Sequence, residues 1–99
     1  MIMKTLEEIK AKLEQLKPTL KEEFKVKTIG VFGSYVRGEA TSSSDLDILV
    51  EFFQAPSLLE FVRLESDLSE QLGIEVDLVM KKALKPYIGR RVLQEVVAV

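Results

Sequence analysis

Two aspartates, Asp45 and Asp47, stand two positions apart at the start of an apolar segment that runs to Phe53. Side chains at positions i and i+2 of a β-strand project from the same face, so a strand here would bring both carboxylates to one side of a sheet. Two carboxylates that close repel each other unless a positive charge lies between them. Because the ligands are oxygen atoms, the pair predicts a site for Mg²⁺ or Mn²⁺.

A third aspartate, Asp77, lies in the middle of another apolar segment, from Ile74 to Met80. If this segment forms a strand beside the first one, Asp77 can face the same space as Asp45 and Asp47. Three carboxylates can hold two divalent ions, which together activate an attacking oxygen and neutralise a leaving phosphate. We therefore predict that these three aspartates are both the catalytic residues and the metal ligands.

A glycine–serine pair, Gly33 and Ser34, abruptly ends a β-branched segment at Phe32. Glycine lets the backbone approach a phosphate closely, and the exposed amides of a following helical turn attract phosphate oxygens. We predict that Gly33 and Ser34 bind phosphate groups, with Ser34 as the N-cap of that turn. Arg37 and Arg63 are cations that could meet a triphosphate, and Arg37 is included in the predicted phosphate-binding site.

The residue types that are missing restrict the chemistry further. The chain contains no cysteine and no histidine, which excludes disulfides, zinc–thiolate sites, thiol catalysis and a histidine base. The serines at positions 42–44 lack a base beside them, so we interpret them as a flexible polar loop rather than as nucleophiles. Glu51 extends the acidic face, and we interpret it as a surface residue rather than as a fourth ligand.

Size and charge set the broad class. A chain of 99 residues forms one small domain, in which we expect a helical segment at 1–24 and a catalytic core at 25–97. Because so short a chain has a modest core, self-association that covers exposed apolar surface would add stability. Its net charge of −2 argues against long nucleic acid as a partner. No apolar run approaches the roughly 20 residues that cross a bilayer, and Met1–Lys4 lacks the apolar character of a signal peptide. We expect a cytoplasmic protein without membrane contact.

Hydrophobic periodicity predicts the elements that position these residues. The order helix, strand, strand, helix, strand, helix is typical of a small α/β (α+β) fold with a mixed sheet of three strands or slightly more, covered mainly on one side. Pro18 is expected to end the first helix, or to start a second one, near Lys17. The last helix is predicted from Leu84 to Val97. The predicted buried stripes are Leu6, Ile9, Leu13, Leu16 and Leu20 in the first helix, and Leu58, Phe61, Leu64, Leu68 and Leu72 in the second, which Gly73 caps.

The order of these motifs resembles a known family. A hydrophobic residue with Gly-Ser, then ten residues, then Asp-hydrophobic-Asp-hydrophobic, then a later strand with an acid is similar to the DNA polymerase β-type nucleotidyltransferase superfamily. More narrowly, GSYVRGEATSSSDLDILVEF followed by FVRLESDLSEQLGIEVDLVMKKALKP resembles the stand-alone minimal nucleotidyltransferases. These are the antitoxin halves of two-gene pairs with HEPN-domain ribonuclease toxins. The resemblance covers about residues 26 to 95.

The resemblance implies a polymerase-β-type nucleotidyltransferase fold and Mg²⁺-dependent transfer of AMP from ATP to an acceptor hydroxyl. Gly33 and Ser34 would hold the β- and γ-phosphates, and Asp77 would accept the proton of the attacking hydroxyl. In toxin-pairing members the acceptor is a tyrosine of the partner, which is adenylylated and thereby silenced. Tyr35-Val36 stands where many relatives carry Arg-Ala, which leaves open whether a phosphate-facing cation is missing. The implied metal ligands are Asp45, Asp47 and Asp77.

Two other functions remain open beside this one. The chain could be a non-catalytic antitoxin that inhibits its partner by contact alone. Template-directed or RNA-tailing polymerase activity is disfavoured, because 99 residues leave no room for a domain that grips a template. A basic cluster after the third strand could dock an acidic partner, RNA or a triphosphate tail, or form a solvated helix face. That cluster consists of Lys81, Lys82, Lys85, Arg90 and Arg91.

Overall fold

The computed structural model describes residues 5–99, so the expectation for Met1–Lys4 lies outside the described residues. Helices and strands alternate along this part of the chain, with one short 3-10 turn at Lys81–Ala83. No helix within it is both long and apolar enough to span a membrane. The helices are α1 (Leu6–Phe24), α2 (Ser34–Arg37), α3 (Leu58–Leu72) and α4 (Pro86–Glu95), and the strands are β1 (Val26–Phe32), β2 (Leu46–Phe52), β3 (Val76–Met80) and β4 (Val97–Ala98).

The strands form one mixed sheet in the order β3-β2-β1-β4. β1 runs antiparallel to both β2 and β4, whereas β3 runs parallel to β2. A parallel neighbour needs a long crossover connection, and α3 supplies it between β2 and β3. The predicted mixed sheet is therefore confirmed.

A single hydrophobic core fills the space between α1, α3 and one face of the sheet. In β2 this face carries Leu46, Ile48 and Val50, as the alternation of the sequence predicts. Because α1 contributes Ile9 and Leu13 to the same core, the N-terminal helix and the strands form one folding unit. The opposite face of the sheet is left for the polar positions of the strands and for α4.

The interpretation of Pro18 as a helix boundary is wrong. α1 continues through Pro18 to Phe24. Proline removes one backbone hydrogen bond and crowds the preceding turn, but Pro18 is exposed while Leu13 and Leu20 on either side of it are buried. Packing of the apolar stripe therefore holds the helix together across the proline, as tertiary contacts commonly do.

The predicted stripe of α3 is also one residue too long. Leu58 is 80% exposed, and the packed positions begin at Phe61. Leu58 is the first residue of the helix, directly after the N-cap Ser57, whose side chain forms a capping box with Glu60. At the other end Gly73 has a φ of 67° and is the C-cap, as predicted.

The C-terminal segment differs most from the prediction. The helix begins at Pro86, a residue suited to a first helical position, and ends at Glu95 instead of Val97. Val97 and Ala98 then pair with β1 opposite Val31 and Gly30. A Cβ at Gly30 would lie 2.6 Å from Cγ2 of Val96. The missing side chain of a glycine inside a strand therefore makes room for the chain end.

The outer edge of β3 is closed by side chains of α3. The backbone amide of Val76 donates to the hydroxyl of Ser69 at 2.9 Å, and the amide of Leu78 donates to Glu65 at 2.9 Å. Exposed strand edges are templates for pairing with other chains. These two bonds occupy amides that would otherwise offer such a template, and they tie the helix to the strand it precedes.

Replacing Gly30 by Ala should destabilise the protein by about 1–3 kcal/mol, because the new methyl group overlaps Val96 and forces the chain end away from β1. The measurement is chemical unfolding. Thr28→Ala is the control, because Thr28 is exposed on the same strand and should change stability by less than about 0.5 kcal/mol. Equal losses in the two variants would contradict this account of the C-terminal strand.

Candidate active site

One row of residues crosses three strands at the centre of the site. Asp47 of β2 lies opposite Phe32 of β1 on one side and opposite Asp77 of β3 on the other. Residues in register on neighbouring strands point to the same face, so Asp47 and Asp77 share a face. Asp45 lies two positions before Asp47, just ahead of β2, and is exposed. The structure thus brings the three predicted aspartates to one side of the sheet, the side opposite the core.

The turn after β1 packs directly against this row. Gly33 has a φ of 84°, a left-handed conformation that favours glycine. A Cβ on Gly33 would also overlap Oδ2 of Asp47. Both constraints favour glycine at this position, and the absence of a side chain lets the turn pack directly against the carboxylate of Asp47. The predicted N-cap is wrong by one residue: Gly33 is the N-cap of α2, and Ser34 is its first helical residue.

The electrostatics of Asp47 reflect its crowded surroundings. Partial burial, followed by the negative charges of Asp77 and Asp45, raises the pKa of Asp47 to about 6. Arg37 opposes the shift as a nearby positive charge. A half-buried carboxylate beside two like charges is typical of binding and catalytic sites, because the repulsion between the charges lowers the stability of the folded state.

The donor set fits a divalent cation. Within residues 5–99, no three side chains of the ligand types His, Cys, Asp and Glu are grouped tightly enough to enclose a metal ion as they stand. The available donors are nevertheless all carboxylate oxygens, which suit Mg²⁺ and Mn²⁺. A cation between Asp47 and Asp77 would also relieve the repulsion that raises the pKa of Asp47.

The predicted phosphate donors are already engaged with a residue that the sequence did not point to. The backbone amide of Gly33 donates to Oε2 of Glu95 at 2.8 Å, and a terminal nitrogen of Arg37 donates to Oε1 of Glu95 at 2.7 Å. Arg37 also donates through Nε to Glu39. The hydrogen bonds that Arg37 donates to Glu39 and to Glu95 raise the pKa of its guanidinium above the usual value. Glu95 is the last residue of α4, so these bonds join the end of that helix to the Gly33 turn.

A cleft of about 280 Å³ opens between Asp47 and α4, and Asp45 and Asp77 are not among the residues that line it. Gly33, Arg37 and Asp47 line its floor, and α4 supplies the opposite wall. Ser34 is half-buried and does not line the cleft. Apart from Arg91, which belongs to the predicted basic cluster, the sequence gave no sign of the α4 wall, because a helical stripe does not reveal which strands it will face. The wall residues are Tyr87, Ile88, Arg91, Val92 and Glu95.

Most of the other basic residues singled out in the sequence lie away from the cleft. Arg63 stands over the ring of Phe24 at 5.6 Å, on the helical layer behind the sheet, so it does not reach the cleft. The basic cluster is divided by the fold. Lys81 and Lys82 lie beside Phe53 in a different depression, and only Arg91 lines the cleft. Arg37 and Arg91 are therefore the two cationic residues among those that line the cleft.

The hydroxyl residues near Asp45 have a local structural task. The side chain of Ser44 accepts a hydrogen bond from the amide of Thr41 at 2.8 Å, and the amide of Ser44 donates to the carbonyl of Thr41 at 3.0 Å. Glu51 is half-buried and accepts a bond from the hydroxyl of Thr28. These contacts fix the loop that leads into Asp45, and they place Glu51 away from the aspartate row.

Comparison with known proteins assigns the class. The chain matches the family described as Nucleotidyltransferase domain over residues 13–99. With this match and the site described above, the chain belongs to the nucleotidyltransferase family. The predicted resemblance, fold and enzyme class are confirmed.

Individual relatives narrow the comparison. The chain is 58% identical over 99 residues to the protein adenylyltransferase MntA of Thermococcus cleftensis, with 100% of each chain covered. A solved structure described as a minimal nucleotidyltransferase has 36% identity and a TM-score of 0.81, with 97% of each chain covered. A toxin–antitoxin structure with AMP-PNP has 26% identity and a TM-score of 0.74, and the match covers 89% of this chain and 69% of that chain.

Asp47→Asn should make the metal-free protein more stable at neutral pH. Because the pKa of Asp47 is about 6 in the folded state and about 3.9 in an unfolded chain, the folded state holds this proton longer. The stability that it contributes is full below about pH 4 and is lost as pH rises through about 6. The variant avoids that loss. After allowance for the exposed part of the side chain, we expect a gain of about 1 kcal/mol, or roughly 4–8 °C in Tm.

The measurement is thermal unfolding in a metal chelator at several pH values. Asp67→Asn is the control, because Asp67 lies on α3, outside the cleft. The Tm difference between Asp47→Asn and the original protein should widen between about pH 4 and 6. A difference that stays constant with pH, or that matches the control at every pH, would contradict the crowding of charge at Asp47.

Proposed function

We propose that this chain is a metal-dependent protein adenylyltransferase that moves AMP from ATP onto a tyrosine hydroxyl of a HEPN-type toxin and thereby acts as its antitoxin. The observation that carries the proposal is Asp47, which packs against the Gly33 turn and lies in register with Asp77 on the neighbouring strand. This arrangement places acidic ligands beside backbone and guanidinium groups that can bind phosphate. The 58% identity to a protein adenylyltransferase over the full chain supports the same reaction.

The step is an in-line displacement at the α-phosphorus. The oxygen of the acceptor hydroxyl forms a bond to phosphorus, the bond to the bridging oxygen of the β-phosphate breaks, and pyrophosphate leaves with the electron pair. Asp77, exposed on β3 beside Asp47, would orient the hydroxyl and take its proton. Arg37 and Arg91 face the triphosphate as positive charges.

Asp45, Asp47 and Asp77 would hold Mg²⁺, or Mn²⁺ in its place. When bound, such ions neutralise phosphate charge and lower the pKa of an attacking hydroxyl. Asp47 is the central ligand in this arrangement, because it lies between the other elements of the site. The half-buried position of its carboxylate limits its motion and keeps it directed towards the cleft.

A protein acceptor suits the shape of the site. The cleft is open, and Tyr87 and Ile88 at its rim are 84% and 55% exposed. An extended loop carrying a tyrosine could therefore reach Asp77 without any rearrangement of the sheet. The similar toxin–antitoxin structure contains AMP-PNP, an analogue of ATP. We place the reaction in the cytoplasm, where ATP and a ribonuclease toxin meet.

The decisive experiment is incubation of the chain with ATP, Mg²⁺ and the HEPN protein encoded beside its gene, followed by mass spectrometry of that protein. We expect one or more added AMP units on a tyrosine. Parallel reactions with GTP, CTP, UTP and Mn²⁺ cover other donors and metals. A complete absence of modification under all these conditions would contradict the proposed function.

Asp47→Asn and Asp77→Asn should each lower AMP transfer by at least about 100-fold, because each removes a cation ligand and Asp77 also receives the proton. The measurement is the initial rate of AMP incorporation, with Asp67→Asn as the control. The same variants separate catalysis from contact inhibition. A protein that inhibits by contact alone would still neutralise its partner after Asp47→Asn, whereas an adenylyltransferase would not.

A further inference from the structure

Glu95 is the one acidic residue in the described part of the chain that accepts hydrogen bonds from both Gly33 and Arg37. Its two carboxylate oxygens accept bonds from two different groups, the amide of Gly33 at 2.8 Å and the guanidinium of Arg37 at 2.7 Å. The partners are 62 and 58 positions away in sequence, so neither contact is a by-product of local helix geometry. The Glu95 side chain is only 23% exposed, compared with 63% for Glu39 on the same arginine.

These two donors are the ones that a nucleotide would need. A backbone amide carries a single hydrogen, so the amide of Gly33 cannot donate fully to Glu95 and to a phosphate together. Arg37 has more donors, but one side of its guanidinium is held by Glu39 and another by Glu95. As long as Glu95 stays in place, the Gly33 turn presents a carboxylate to the cleft instead of a free amide.

We propose that Glu95 is an internal competitor of the nucleotide, whose carboxylate occupies the position of a phosphate group and must leave when the nucleotide binds. The proposal rests on the proposed function, because it assumes a nucleoside triphosphate in this cleft. A carboxylate and a phosphate oxygen make the same kind of charge-assisted bond to an amide and a guanidinium, so one can replace the other. An incoming triphosphate would also repel Glu95 as a like charge.

The position of Glu95 permits this exchange. It is the last residue of α4, and the next residue, Val96, is already extended with a ψ of 136°. Rotation of the Glu95 side chain, or fraying of the last helical turn, would free both donors while β1 and β2 stay in place. In the nucleotide-free state the contact keeps Arg37 paired and holds the end of α4 against the Gly33 turn.

A purely structural role makes the opposite prediction. If Glu95 only supports the Gly33 turn and orients Arg37, its removal should weaken nucleotide binding, because the donors would lose their arrangement. If Glu95 competes, its removal should strengthen binding. The sign of the change in affinity therefore separates the two roles.

The test is the affinity of Glu95→Gln for ATP in the presence of Mg²⁺, measured by isothermal titration calorimetry. The variant keeps the shape of the side chain and loses its charge. Glu39→Gln is the matched control, since it removes the same charge from the same arginine and leaves the Glu95–Gly33 bond intact. We expect Glu95→Gln to bind ATP about tenfold more tightly than the original protein, which corresponds to a cleft that Glu95 closes about nine-tenths of the time. The control should change the affinity less than about threefold.

A second measurement follows the contact itself. In the original protein the amide of Gly33 should exchange slowly with solvent, and it should exchange faster in Glu95→Gln when no nucleotide is present. Addition of ATP should protect this amide again in the variant. An equal gain of affinity in both variants would reduce the effect to general charge, and weaker binding in Glu95→Gln would assign a supporting role. Either result overturns the proposal.

These failures differ from a failure of the proposed function. If only the proposal for Glu95 is wrong, the original protein still binds ATP and modifies its partner. The comparison between Glu95→Gln and Glu39→Gln alone then contradicts competition between Glu95 and the nucleotide. If the proposed function is wrong, neither the original protein nor Glu95→Gln binds any nucleoside triphosphate or transfers AMP. That outcome would overturn both the function and the competition inferred from it.

Discussion

The crowding of negative charge around Asp47 is the constraint on which the site depends. Its carboxylate is half-buried, touches the Gly33 turn on one side and faces Asp77 on the other, and its pKa rises to about 6. The crowding persists because the strand register leaves Asp47 no other position. That register is set on the opposite face, where Ile48 and its neighbours are buried in the core. A slip of one residue would move those apolar side chains into water, so the core stabilises an arrangement that the carboxylates oppose.

The alternation of strand residues predicted most of this geometry. Because one face of β2 is apolar and the other carries acids, the sequence alone indicated which face would hold Asp47, and the same held for Asp77 in β3. The helical stripes similarly indicated one covered side. The pattern could not decide where a local preference, such as that of proline to end a helix, is outweighed by packing in the core. At Pro18 the buried stripe outweighs the loss of one hydrogen bond, and at Leu58 the helix begins before its buried face does.

The C-terminal segment shows where prediction from pattern reaches its limit. The apolar residues after Glu95 continue a helical spacing, yet they form a strand because β1 has an open edge and a glycine at the contact point. Gly30 was a usable signal, since glycine inside a strand often marks a close approach of another backbone. The contact of Glu95 with Gly33 had no comparable signal. It links positions 62 residues apart and depends on where α4 ends once β4 has paired.

The charges in and beside the cleft differ between the region around Asp47 and the region around Gly33 and Arg37. The carboxylates of Asp47 and Glu95 line the cleft together with the guanidinium groups of Arg37 and Arg91, and Asp45 and Asp77 add negative charge beside Asp47. A triphosphate adds further negative charge, so it fits only if positive charge arrives or negative charge leaves. In the proposed function a divalent cation beside Asp47 and Asp77 would bring positive charge with the nucleotide. Near Gly33 and Arg37, where Glu95 occupies the donors, a phosphate would replace the carboxylate. Binding of a cation and release of Glu95 would then both offset the negative charge of the triphosphate.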